Sequence, residues 1–176
     1  MEDAYIIKGG KPLKGEVELS GAKNVALKVI ISALLFDGEV ILHNIPRIND
    51  VHELLHLIRS MGGKAEFIEK NSVIIDGRSL KTNKVDFLHG SKMRVSFMLF
   101  APLLAKFKEC YVPNPGGCRI GARPIDRIIK GMKEIGIEVS YDSSTGYYHA
   151  VMQKSPSGRY RFVKPSHTGT ELLILI

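Results

Sequence analysis

The sequence predicts an α/β fold assembled from repeated units. Stretches with apolar residues at helical spacing alternate with short runs of strand-forming residues. The order of these stretches recurs once in full and begins a third time near residue 165. A period of this kind indicates that each unit buries its apolar face against its neighbours. With 176 residues and 44% hydrophobic content, the chain is long enough to form one substantial core.

The first predicted unit (residues 21–88) consists of a helix, a strand, a second helix and two further strands. Its first helix carries an apolar stripe at Leu27, Ile30, Ile31, Leu34 and Leu35. We expect Ser20 to cap this helix and Asn49 or Asp50 to cap the second, because short polar side chains accept hydrogen bonds from free backbone N–H groups. Strands are expected near residues 40–42, 64–68 and 73–75.

The second predicted unit (residues 89–164) repeats this order with one insertion. Four apolar residues of its first helix lie 69 positions after their counterparts in the first unit: Leu99, Phe100, Leu103 and Leu104. In its second helix the offset is 74, for Ile125, Ile128, Ile129 and Met132. The five added residues fall in the loop 113–122, which contains Cys118. An insertion in one copy of a duplicated scaffold favours a functional loop. Pro102 is expected to kink the first helix of this unit.

A third unit begins in residues 165–176. Leu172, Leu173 and Ile176 repeat the pattern of the first helix at an offset of 146. The sequence stops inside this apolar stretch. Because a repeat cannot bury its apolar face without neighbours, we expect the chain to be a fragment of a longer protein.

The charge balance favours an anionic partner or, alternatively, a solvated basic surface. Twenty-five basic residues against eighteen acidic ones give a net charge of +7. Phosphorylated metabolites and nucleic acid both fit this sign. No basic run of five or more occurs and aromatic residues make up only 7%, so the sequence argues against nucleic-acid binding.

Targeting and metal-binding patterns are also absent from the sequence. We find neither a signal-peptide pattern nor an apolar stretch long enough to span a bilayer, which predicts a cytoplasmic protein without membrane contact. The two cysteines form no Cys-x-x-Cys pair, so we predict no disulfide framework and no metal site. His52 and His56 lie four apart on one helix, but no acidic residue follows in the zinc-enzyme pattern, and we interpret them as solvated.

Cys118 is the first candidate for chemistry. It lies between glycines, with Arg119 and Arg123 close behind it. Neighbouring positive charge lowers the pKa of a thiol and makes it a plausible acid or nucleophile. The alternative is an exposed loop cysteine without a role. Cys110, by contrast, lies in a predicted strand, where we expect it to be buried.

Polar or basic residues stand at the start of the first helix in each unit. Lys23 opposes the helix dipole there, a cost that an anionic ligand would offset, although a solvated lysine explains it as well. The equivalent positions hold Lys92 and Arg94 in the second unit and Ser166, His167 and Thr168 in the third. We expect these three helix starts to converge on one anionic substrate. Pro124 is expected at the first position of a further helix, where Arg123 and free N–H groups would meet an anion.

The segments 20–24 (Ser-Gly-Ala-Lys-Asn) and 115–126 (Pro-Gly-Gly-Cys-Arg-Ile-Gly-Ala-Arg-Pro-Ile-Asp) resemble the UDP-N-acetylglucosamine 1-carboxyvinyltransferase family of enolpyruvyl transferases. The resemblance implies an EPSP synthase-like, inside-out α/β fold with six βαβαββ units in two globules. The chain would hold two complete units and the start of a third. Residues 1–20 would form a strand segment that packs with the second globule, which this sequence lacks.

The resemblance also implies an activity that needs no cofactor. The family transfers enolpyruvyl from phosphoenolpyruvate to the 3′-hydroxyl of UDP-N-acetylglucosamine and releases phosphate, the first committed step of peptidoglycan synthesis. Cys118 resembles its general acid, which forms a covalent adduct with phosphoenolpyruvate and is the target of fosfomycin. Lys23 and Arg123 resemble its phosphoenolpyruvate-binding cations. The UDP-sugar site would comprise Asn24, Arg94, Pro124, Ile125 and Asp126, with Ser166, His167 and Thr168 holding the diphosphate.

Two positions depart from the family pattern. Thr168 stands where glycine is common and Lys28 where proline is common. The family's catalytic carboxylate and further arginines come from the second globule, so we expect the isolated chain to be inactive. The alternative function is that of a non-catalytic fragment or homologue that binds nucleotide-sugar.

Overall fold

A computed structural model describes residues 4–116 and 124–176 of the chain. The elements of the first unit are α1 (Lys23–Ala33), β1 (Val40–Leu42), α2 (Asn49–Ser60), β2 (Lys64–Phe67) and β3 (Val73–Asp76). The elements that follow are α3 (Phe87–Lys92), a 3₁₀ helix (Arg94–Leu99), α4 (Phe100–Phe107), β4 (Glu109–Pro113), α5 (Asp126–Glu134), β5 (Glu138–Asp142), β6 (Tyr147–Val151) and α6 (His167–Leu175).

Two antiparallel sheets of three strands have the same topology. Their strand orders are β1-β3-β2 and β4-β6-β5, so the last strand of each unit lies in the middle. Val40 lies opposite Ile75 in the first sheet, and Cys110 lies opposite Ala150 in the second. The predicted helices and strands in repeated order are therefore present, and the structure adds that the strands pair antiparallel.

One continuous core joins the helices of the units. The apolar stripes of α1 and α2 contribute fully buried residues such as Ile30 and Leu54. The 3₁₀ helix and α4 add Phe97 and Phe100, and α6 adds Leu172. Because the same cluster holds residues from every unit, the predicted need of each repeat for its neighbours is met within this core.

The repeat extends to a close backbone contact in each unit. A Cβ atom added to Gly21 would lie 1.8 Å from the carbonyl oxygen of Asn44. A Cβ atom added to Gly90 would lie 2.6 Å from Cγ of Pro113. Both members of the second pair follow those of the first by 69 residues. The start of each unit is thus packed against the chain at the end of its first strand.

The helix starts differ from those predicted. The N-cap of α1 is Ala22 rather than Ser20, and that of α2 is Ile48 rather than a polar residue; neither side chain makes a capping hydrogen bond. Asp50 instead forms an ion pair with Lys23 of α1. The Asp50 carboxylate, which the sequence suggested as a cap for α2, therefore pairs with a residue of the other helix.

The predicted helix around Pro102 is divided in two. Residues 94–99 form a 3₁₀ helix, and α4 begins at Phe100. Pro102 lies in the first turn of α4, where its missing N–H needs no helical partner. The break therefore falls before the proline. The short helix α3 precedes it, capped by Asp86, which accepts a hydrogen bond from the His89 N–H.

The first described residues carry no regular structure. Residues 4–20 are exposed and form neither helix nor strand. The expected packing of residues 1–20 with a second globule stays a prediction. Across 4–116 and 124–176, no helix has the length and apolar character needed to cross a membrane.

We predict that Gly21→Ala lowers the free energy of unfolding by about 1–3 kcal/mol, because the added methyl group has to displace the Asn44 backbone. Gly38→Ala is the matched control, since a Cβ atom there has no neighbour within 4 Å. Urea denaturation measures both variants. Equal stabilities would contradict the close contact at Gly21.

Candidate functional site

A cavity of about 630 Å³ lies where the first turns of α1, α2 and α6 meet the segment between α3 and the 3₁₀ helix. We call it the polar cavity. The lining residues are Lys23, Asn24, Leu27, Lys28, Asn49, Asp50, Glu53, Lys92, Met93, Arg94, Val95, Phe97, Gly116, His167 and Thr168. The cavity is thus lined by helices of the first and third units and by residues 92–95, 97 and 116 of the second unit.

Five of the predicted site residues line this cavity: Lys23, Asn24, Arg94, His167 and Thr168. They come from all three units and are up to 145 positions apart in sequence. Their approach follows from the repeat, because equivalent helix starts lie at the same side of the shared core. The three helix starts therefore converge on one cavity, and the anionic substrate expected there stays a prediction.

Ser166 supports the cavity wall without lining it. Its hydroxyl accepts a hydrogen bond from the Gly169 N–H at 3.2 Å and so caps α6. The next two residues, His167 and Thr168, form the first turn of that helix. Their N–H groups belong to the end of the helix that favours anions.

Residues 124–126 lie outside the lining of the polar cavity. Ile125 is buried in the core and is the N-cap of α5, whereas Pro124 and Asp126 are exposed. The expectation that Pro124 begins the helix is wrong: α5 begins at Asp126, because Ile125 does not take up helical geometry. Cys118 and Arg123 lie outside the described residues.

Positive side chains outnumber negative ones among the described lining residues. The cations are Lys23, Lys28, Lys92 and Arg94, and the carboxylates are Asp50 and Glu53. Lys23 pairs with Asp50, and Lys28 pairs with Glu171 just outside the lining. Because three helix N-termini add partial positive charge, the arrangement suits an anion.

Sequence reasoning missed the functional potential of Lys28, Asp50 and Glu53. Lys28 follows Asn24 by four residues, and Glu53 follows Asp50 by three, so each pair shares a helix face. This spacing was visible in the sequence. The sequence does not indicate which face of each helix points to the cavity, because that depends on contacts between units.

Gly116 brings the chain of the cysteine loop to the cavity wall. A Cβ atom on Gly116 would lie 1.7 Å from the carbonyl oxygen of Ser91 in α3. A side chain of any size is therefore excluded at this position. The contact holds Gly116, two positions before Cys118 in the sequence, against the segment that carries Lys92 and Arg94.

Cys110 is buried, as predicted. It is 0% exposed on β4 and packs against β6 opposite Ala150. Burial raises the pKa of the Cys110 thiol, and the neighbouring Glu109 carboxylate raises it further. This thiol therefore stays protonated and is not a nucleophile in the folded chain.

The predicted histidine pair on α2 contacts aromatic neighbours. His52 packs against Phe67 with ring centroids 5.2 Å apart, and His56 packs against His89 at 4.8 Å. In the described part of the chain, no three His, Cys, Asp or Glu side chains are grouped so that they could hold a metal ion.

Comparison with known proteins identifies close relatives of the chain. The family model for EPSP synthase (3-phosphoshikimate 1-carboxyvinyltransferase) matches residues 7–176. A UDP-N-acetylglucosamine 1-carboxyvinyltransferase from Helicobacter pylori (strain P12) is 41% identical over 170 residues, which cover 96% of this chain and 40% of that protein. The enzyme of the same name from Dichelobacter nodosus is 38% identical over 169 residues, with the same coverage.

The fold agrees with that of a solved structure. EPSP synthase from Acinetobacter baumannii matches with a TM-score of 0.70 and 22% identity, over 95% of this chain and 38% of that chain. The predicted EPSP synthase-like fold is therefore confirmed. The chain spans about 40% of the length of the sequence relatives it matches.

We predict that iodoacetamide at mildly alkaline pH modifies Cys118 of the native chain and spares Cys110, whose raised pKa and burial protect it. Mass spectrometry of the digested chain locates the label. In denaturant both thiols should react, and Cys118→Ala should remove the rapid native reaction. Rapid native labelling of Cys110 would contradict its burial.

Proposed function

Because the chain belongs to the EPSP synthase family, we propose that it forms part of an enzyme that transfers enolpyruvyl from phosphoenolpyruvate to the 3′-hydroxyl of UDP-N-acetylglucosamine. Phosphate is the second product. The observation that carries the proposal is the polar cavity, in which basic residues and helix N-termini of three repeats meet. Both substrates are phosphorylated anions. The names of the relatives from Helicobacter pylori and Dichelobacter nodosus support this choice of substrates.

The cations of the site bind and orient phosphoenolpyruvate in this proposal. Lys23 and Arg123 hold its phosphate and carboxylate. Asp50 keeps the Lys23 ammonium at the cavity wall through their ion pair. An incoming anion competes with Asp50 for that ammonium, and the preorganised positive charge then stabilises the tetrahedral intermediate.

The nucleotide-sugar occupies the rest of the cavity. Asn24 and Arg94 contact it inside the cavity, and the exposed Pro124 and Asp126 contact the part of it that extends beyond the cavity lining, with Ile125 supporting them from the core. The N–H groups of His167 and Thr168 face its diphosphate at the start of α6, a common arrangement for phosphate groups. The Ser166 hydroxyl caps the helix and keeps those N–H groups in place.

Cys118 is the proposed general acid. It donates its proton to the methylene carbon of phosphoenolpyruvate, which becomes a methyl group, while the sugar hydroxyl attacks the neighbouring carbon and gives up its proton to the catalytic carboxylate of the second globule. Loss of phosphate and of a proton from that methyl carbon then restores the double bond. We place the reaction in the cytoplasm, in agreement with the sequence.

We predict that Cys118→Ala in the full-length enzyme lowers phosphate release by at least about a hundredfold, because proton donation by a positioned group commonly supplies that factor. Cys110→Ala is the matched control, since Cys110 is buried in the sheet away from the polar cavity. A coupled phosphate assay measures both. Normal release by Cys118→Ala would refute the assigned role.

The second candidate function is nucleotide-sugar binding without turnover, favoured for the isolated chain because it spans about 40% of its relatives. We predict that the 176-residue chain binds UDP-N-acetylglucosamine in isothermal titration but releases no phosphate when phosphoenolpyruvate is added. The expected reason is that the catalytic base belongs to the second globule. Measurable turnover by the isolated chain would overturn this prediction.

A further inference from the structure

One ion pair connects the first unit to the third at the edge of the polar cavity. Lys28 Nζ of α1 donates a hydrogen bond to Glu171 Oε1 of α6 at 2.6 Å. The side chains are 24% and 38% exposed, so the pair is partly shielded from water. Such shielding strengthens the interaction relative to a fully exposed pair.

Lys28 lines the cavity itself, and Glu171 lies one helical turn beyond a residue that lines it. Lys28 follows Asn24 by four positions on α1, and Glu171 follows His167 by four positions on α6. Residues four apart share a helix face. The pair therefore connects the cavity-facing side of α1 to that of α6.

The apolar contacts of α6 are made with the second unit. This helix packs against α4 and α5, and Leu172 is fully buried there. Those contacts fix α6 relative to the second unit. The cavity also requires a fixed distance between α6 and α1, which the Lys28–Glu171 pair provides.

Glu171 depends strongly on its lysine partner. Its second carboxylate oxygen, Oε2, is buried and accepts no hydrogen bond from the described residues. Removing Lys28 would leave a carboxylate with a buried oxygen and no compensating charge, which is strongly unfavourable. The local structure would then change to hydrate the carboxylate, and α6 would shift with it.

We propose that Lys28 and Glu171 are positioning residues for the nucleotide-sugar site. They hold the first turn of α6, with His167 and Thr168, in place relative to α1. This inference rests on the proposed function.

Titration of UDP-N-acetylglucosamine into the 176-residue chain tests the proposal. We expect Lys28→Met to raise the dissociation constant about tenfold, within the usual range of coupling between linked sites. The charge-swapped double variant Lys28→Glu/Glu171→Lys should restore the constant to within about threefold of the parent. Lys64→Met is the matched control, because Lys64 forms an exposed 2.7 Å pair with Glu39 on the first sheet.

Two results would overturn the positioning role. One is parental affinity in Lys28→Met. The other is a double variant that binds as weakly as the single one, since Lys28 would then act through its own charge on the ligand. Thermal unfolding of each variant checks that it is folded.

Hydrogen exchange separates this proposal from the proposed function. The Thr170 N–H donates to the Ser166 carbonyl in the first turn of α6. Its exchange should quicken in Lys28→Met and stay unchanged in Lys64→Met. If the parent chain fails to bind the nucleotide-sugar, the second candidate function fails, and unchanged Thr170 exchange would by itself refute the positioning role.

Discussion

The shared core of the repeats is the constraint on which the rest of the structure depends. No unit encloses its own helices, so apolar residues of α1, α2, α4, α5 and α6 are buried in one cluster. Because the units have the same topology, packing them around one core brings equivalent helix starts to the same side. The polar cavity is the consequence. Burial of apolar surface and the repeated topology therefore create the cavity, and this does not depend on which cations line it.

The cations are then held by carboxylates that belong to other elements. Lys23 of α1 pairs with Asp50 of α2, and Lys28 of α1 pairs with Glu171 of α6. The Lys23–Asp50 pair is exposed, and such pairs contribute little to stability, about 0–1 kcal/mol, whereas the Lys28–Glu171 pair is partly shielded from water. Their effect on the site is larger than this, because a lysine held in place loses less conformational entropy when an anion binds. The charges therefore serve orientation more than folding.

The sequence predicted the features that depend on local period and missed those that depend on contacts between units. The helices, the two sheets and the convergence of Lys23, Arg94 and His167 follow from an apolar pattern repeated at fixed offsets. The Asp50 side chain was misjudged as a local cap because its partner lies on another helix. The Lys28–Glu171 pair joins residues 143 positions apart, and no local pattern indicates it. The roles given to Cys118 and Arg123 depend on the family resemblance.

The two cysteines illustrate how a duplicated scaffold separates stability from chemistry. Cys110 lies on a strand that both units possess, and its burial raises the pKa of the thiol and makes it inert. Cys118 lies in the loop 113–122, in which only the second unit has gained five residues. A reactive thiol needs nearby positive charge and access to substrate, which a packed strand cannot offer. Gly116 of the same loop contacts Ser91 and lies beside Lys92 and Arg94 in the lining of the polar cavity. The loop that holds the extra residues is therefore connected to the cavity that the repeats form together.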